Sequence, residues 1–129
     1  MPPREIKQRL FAFACRAVAI YRQLVAEGGP GRVLAPQFLA AATSAASNME
    51  EADAAASGKD FVAKANISLK EARESDFWLR LFACSAIGDP REIRPAEREA
   101  DELVAIITTI VRKARARLDA TPQSGPEAR

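Results

Sequence analysis

The stretch PAEREADELVAIITTIVRKARARL, residues 95–118, carries Leu103, Ile107, Ile110, Val111, Ala114 and Leu118 at steps of three and four. Only an α-helix brings such a set onto one side. Its charges are ordered as well. Glu97, Glu99, Asp101 and Glu102 come early, and Arg112, Lys113, Arg115 and Arg117 come late. Acids near the positive end and bases near the negative end of the helix dipole reinforce the assignment. This stretch predicts an all-α protein.

Working outward, the sequence is punctuated at Gly28-Gly29-Pro30-Gly31, at Ala56-Ser57-Gly58 and at Gly88-Asp89-Pro90, with Pro95 following. Glycine permits left-handed backbone and proline cannot continue a helix, so these runs separate four segments. The first predicted helix covers about residues 3–27, with Ile6, Leu10, Phe13, Ala17, Ile20 and Leu24 on one face. The second covers about 36–55 and opens on Pro36, a residue suited to a first helical turn. Its stripe is Leu39, Ala42, Ala46 and Met49. The third covers about 58–87, with Ser57 and Asp60 in a capping pattern and Phe61, Ala65, Leu69, Ala72, Leu79 and Phe82 facing one way. The fourth covers about 95–118. No segment alternates with period two. At ~1.5 Å per residue the helices are roughly 30–45 Å long. With short connections they predict an antiparallel up-down-up-down four-helix bundle over residues 1–120. A tail over 121–129, with two prolines and a glycine, is expected to be disordered.

Composition narrows the chemistry. The 129 residues suit one domain, and 48% of them are hydrophobic. There are 27 alanines and only 6% aromatics, which predicts helices that approach closely. The chain has no histidine, so Ser-His-Asp and Cys-His sites are excluded and the commonest metal ligand is missing. No enzyme activity, cofactor or metal is expected. The net charge of +2 is not by itself a nucleic-acid signature. No run approaches the ~18 apolar residues of a membrane span, and the beginning of the chain lacks the apolar core of a signal peptide. A cytoplasmic location with reduced thiols follows as the expectation. Cys15 and Cys84 read as small core residues, although two cysteines can pair.

Two helices carry more apolar residues than a solitary bundle needs. Phe11, Val18 and Val25 recur every seven residues beside the main stripe of the first helix. Ile67, Trp78 and Leu81, with Phe77 nearby, lie far around the third. Exposed together they would form a patch that monomers avoid, so self-association is expected, with these six residues as the oligomer interface. A wide bundle core that absorbs them is the alternative. Trp78 reads either as ordinary packing or as an interface anchor.

Arg112, Lys113, Arg115 and Arg117 form the densest basic cluster and are the candidate nucleic-acid-binding residues. They equally suit a solvated helix end. Asn48 and Glu51 share one helix face and Glu71 and Glu74 another, predicting a polar network or a solvated face. Without an E-x-x-H pattern these carboxylates fall short of a di-iron site.

The stretch from Ser44 to Ala52, Ser-Ala-Ala-Ser-Asn-Met-Glu-Glu-Ala, resembles the end of the second helix in bacterial four-helix bundle proteins related to those encoded in intervening sequences of ribosomal RNA genes. Residues 59–64, 69–75 and 77–81 resemble that family's third helix, and the likeness extends over roughly Ile6 to Arg117. Ala52 stands where the family usually has glycine and Met49 where it has isoleucine, which predicts a second helix running up to a turn further. The resemblance implies a homopentamer. A distant relative, the accessory protein of diversity-generating retroelements, binds nucleic acid and a reverse transcriptase. The expected partners are therefore copies of the same chain and either RNA or DNA, the alternative being a protein-interaction scaffold with no nucleic-acid role. No membrane partner is expected.

Overall fold

A computed structural model describes residues 3–120. They form four helices, α1 (Pro3–Glu27), α2 (Gly29–Asp53), α3 (Gly58–Cys84) and α4 (Pro90–Ala120). There is no strand among the described residues. Each helix packs against the next in the sequence, and α1 closes the ring against α4 along the shortest seam. The diagonal pairs, α1 with α3 and α2 with α4, make no comparable contact. This is the all-α up-down-up-down bundle that the pattern predicts. The tail read at 121–129 lies outside the described residues.

The bounds of α1 agree with the sequence reading, whereas α2 and α4 begin earlier than expected. The second helix starts at Gly29 rather than residue 36, so Pro36 sits inside it, and the first-turn proline is Pro30. A proline inside a helix forfeits a hydrogen bond and costs about 3 kcal/mol. Burial of the preceding turn offsets this: Gly31, Ala35 and Phe38 are all buried. Gly31 passes so close to Ile87 that a Cβ there would stand 2.9 Å from Ile87 Cγ2. The fourth helix starts at Pro90 rather than residue 95, leaving Pro95 inside it. Asp89 supplies the cap: its Oδ1 accepts from the Arg91 N–H at 2.9 Å and its carbonyl from Ile93. Buried Ile93 anchors that first turn. In both cases the earlier proline begins the helix and core packing carries it through the later one.

The third helix starts as its capping pattern predicts, with the Asp60 N–H donating to Ser57 Oγ at 3.1 Å. It ends at Cys84 rather than 87. Ala86 takes the left-handed conformation, with φ of 54°, and the Ile87 N–H returns to the Phe82 carbonyl at 2.9 Å. That is the hydrogen bond of a glycine-type helix stop made by alanine. The second helix ends at Asp53, short of the expected residue 55.

The core follows the predicted stripes on α1 and adds Phe38, which the α2 stripe omits. Its buried ring meets Phe13 and Phe82 edge-on, with centroids 6.5 and 5.8 Å away. Leu39, Phe61, Ile110 and Ala114, expected in the core, are half-buried, and Leu118 is exposed. Between α2 and α3 the facing residues are small. Ala41, Ala42 and Ala45 are buried on one helix and Ala65, Ser68 and Ala72 on the other. Buried Ser68 donates its hydroxyl to the Ala45 carbonyl at 2.7 Å, and buried Ser75 donates to the Glu71 carbonyl at 3.0 Å, so both hydroxyls are satisfied.

Candidate functional site

The end of α4 presents its cations on two sides. Arg112 and Arg115, three residues apart, line a groove against α3, and Lys113 and Arg117 do not. The groove has a volume of about 430 Å³. Across it, α3 contributes Asn66 and Arg73, with Leu69 on the same row of the helix. Leu69 and Val111 are buried and form the floor, while Asn66, Arg73, Arg112 and Arg115 are exposed at the walls. Among the described residues, Asp119 is the sole carboxylate lining it.

Arg73, Arg112 and Arg115 make no hydrogen bond or ion pair among the described residues, and neither does the side chain of Asn66. Three arginines elsewhere are occupied. Arg9 holds Glu99 at 2.7 Å and Glu102 at 3.0 Å, Arg80 lies 3.4 Å from Asp76, and Arg91 holds Asp89 at 3.0 Å. Hydrogen bonds to Glu99 and then Glu102 hold the Arg9 guanidinium still more firmly in its charged form. The α3/α4 seam changes sign along its length. Further toward the start of α4, Asp76 faces Asp101 and Glu97, and burial followed by that repulsion pushes its carboxyl above the usual range, against the pull of Arg80.

Sequence reasoning singled out Arg112 and Arg115 but missed Arg73 and Asn66. The signal was available. The first sixteen residues of α3 carry Lys59, Lys64, Lys70 and Arg73, and antiparallel packing lays them beside the basic end of α4.

A second groove, of about 350 Å³, opens on the other side of α4 between Ala12, Phe13 and Arg16 of α1 and Pro95, Arg98, Glu99 and Glu102 of α4. There two carboxylates face two arginines, and Arg9 clasps both carboxylates.

The candidate interface residues are divided. Phe11 is 62% and Ile67 42% exposed, while Val18, Val25, Trp78 and Leu81 are half-buried. Because α1 and α3 are diagonal, the two sets form separate faces rather than the single patch envisaged from the sequence. Phe77, 46% exposed, packs edge-on to Trp78, whose indole N–H donates to Glu74 at 3.2 Å. Val33 on α2, 73% exposed, was not anticipated.

The polar network read at Asn48, Glu51, Glu71 and Glu74 does not assemble. Asn48 turns back to Ser44, donating to its carbonyl at 2.9 Å, and Glu74 serves Trp78. Glu71 is half-buried and Glu51 exposed, and among the described residues no hydrogen bond joins any two of the four. The cysteines also correct the sequence reading. Both Cys15 and Cys84 are exposed free thiols on helices that do not touch, because each falls outside its helix's buried stripe. No cluster of three or more cysteine or carboxylate groups suited to a metal ion is found among the described residues. No described helix is long and apolar enough to cross a membrane.

Fold and site together define an all-α bundle with an uncompensated cationic groove beside its last helix. The chain belongs to the 23S rRNA-intervening sequence protein family, whose model matches residues 4–109. Among solved structures, it is similar to a protein of unknown function from the S23 ribosomal protein family of Bacteroides thetaiotaomicron. That likeness has 30% identity and a TM-score of 0.74, and it covers 82% of this chain and 97% of the other. A search of curated proteins returned no match.

Proposed function

We propose that this chain is a non-enzymatic, homo-oligomeric helical module of the cytoplasm that binds RNA, or a nucleic acid of like charge, along the α3/α4 groove. The observation that carries the reading is the set of three unpartnered guanidiniums, drawn from two helices and opening on one groove. Guanidinium groups match phosphate oxygens in geometry and charge, and ones without an internal partner break no bond within the protein to engage them. The family's name refers to an intervening sequence of ribosomal RNA, which makes RNA the first polyanion to test.

Self-association, with the homopentamer as its specific form, is supported by the position of the surplus apolar residues. Phe11 on α1 and Ile67 with Phe77 on α3 lie on different helices of the bundle. Two unlike faces suit head-to-tail contacts, which form a ring when the rotation between copies closes. A ring repeats the groove, so modest affinity at each copy adds up.

Binding is tested with labelled RNA by fluorescence anisotropy. For three phosphate contacts on a single strand, affinity is expected to fall about twentyfold between about 50 and 200 mM salt. Absence of salt-dependent binding would count against the reading. Light scattering tests the assembly, for which a solitary subunit is the contrary result. The exposed Phe11, Val33 and Phe77 favour the second reading, a protein scaffold without nucleic acid. A single co-purifying protein, retained after nuclease treatment, would support it.

A further inference from the structure

We infer that the α3/α4 groove receives a short run of a single strand, its phosphates along the walls and one base over the floor, and that it discriminates against duplex. This rests on the RNA-binding reading above and adds which form of nucleic acid the groove takes. Three features carry it.

The cations stand on opposite walls, Arg73 on α3 and Arg112 and Arg115 on α4. A phosphate lying between them is approached from both sides, whereas the broad backbone ridge of a duplex meets the rim only. The floor is made by Leu69, Val111 and half-buried Thr108, whose hydroxyl donates to the Val104 carbonyl at 2.7 Å and so turns its methyl group to the groove's use. A phosphate would gain nothing there, but the flat face of an unpaired base can cover hydrocarbon and stack on the guanidinium planes above it. Asn66 adds an amide with no internal partner, able both to donate and to accept. That is the chemistry that reads the edge of a base, and in a duplex those edges are already paired. The volume of about 430 Å³ falls within the range of small-molecule sites, about 300–1,000 Å³. A run of acidic side chains would satisfy the arginines but offers no flat ring to stack on the guanidinium planes.

The experiment measures anisotropy of the whole chain with short labelled RNA oligonucleotides, single-stranded and annealed to their complements, with polyglutamate as competitor. The single strand is expected to bind about tenfold more tightly than the duplex. Arg73→Ala should weaken all single strands alike by about tenfold, while Asn66→Ala narrows differences between adenine-, cytosine- and uracil-rich oligonucleotides by about threefold. Both positions are exposed, and an unchanged helical circular dichroism spectrum confirms that the variants fold. Equal affinity for strand and duplex, still dependent on Arg73, would overturn this inference and leave the RNA reading standing. Base preferences untouched by Asn66→Ala would overturn the placement of the base. Displacement of RNA by polyglutamate at equal charge concentration would replace nucleic acid with an acidic protein partner. Failure to bind RNA in either form would remove both conclusions.

Discussion

Helix α4 is flanked by two grooves of similar size built from similar residues, yet they are electrostatically unlike. On the α1 side, Glu99 and Glu102 face Arg16 and Arg98, and Arg9 reaches across to bond both carboxylates. On the α3 side, Arg73, Arg112 and Arg115 face only Asp119 and bond to nothing in the described chain. The count of arginines is therefore a poor guide to function. What matters is whether the fold supplies each guanidinium with an internal carboxylate. The first groove is a clasp that closes the shortest seam of the bundle. The second holds charge in reserve for something outside.

The comparison can be broken by changing the partners rather than the arginines. Replacing Glu99 and Glu102 together by glutamine frees Arg9 and leaves it with Arg16 and Arg98 in a groove without carboxylates of its own. RNA affinity measured by anisotropy should then rise about tenfold, as the clasp becomes a second cationic groove. No change would mean that free guanidiniums alone do not make a site here. Asp119→Asn removes the only carboxylate that lines the α3/α4 groove among the described residues, and a gain of about threefold at low salt is expected, fading as salt screens it. Unaltered or weaker binding would indicate that Asp119 does not oppose the ligand. Arg9→Ala sharpens the contrast from the stability side. It should cost about 1 kcal/mol, seen as a melting temperature lower by about 4 °C, and leave RNA affinity within twofold of the parent. A large loss of binding would place the ligand on the α1 side instead.

How much of this was legible in the sequence depended on whether the information lay within one helix or between two. The bounds and buried face of α1 follow from Ile6 to Leu24 because no breaker interrupts them. The starts of α2 and α4 were displaced because Pro36 and Pro95 read as first-turn residues. The burial of Gly31, Ala35 and Ile93, which carries each helix through its proline, is a tertiary fact. Phe38 was passed over for Leu39 by the same error, since a helix begun seven residues late gives no support to its early core positions. The cysteines were misplaced because both lie within apolar runs, while each points away from the stripe that is buried. Arg112 and Arg115 could be seen as a pair from their spacing alone. Arg73 and Asn66 could be found only by laying α3 beside α4 in antiparallel register, and their lack of partners could be found only from coordinates.

The most direct test of the account compares the salt dependence of RNA binding by the parent chain with that of a variant in which Arg73, Arg112 and Arg115 are all alanine. The account predicts that the variant loses about 100-fold in affinity at low salt and that the slope of log affinity against log salt flattens by about two. An unchanged slope, with affinity intact, would show that these three guanidiniums hold no phosphate and would contradict the account.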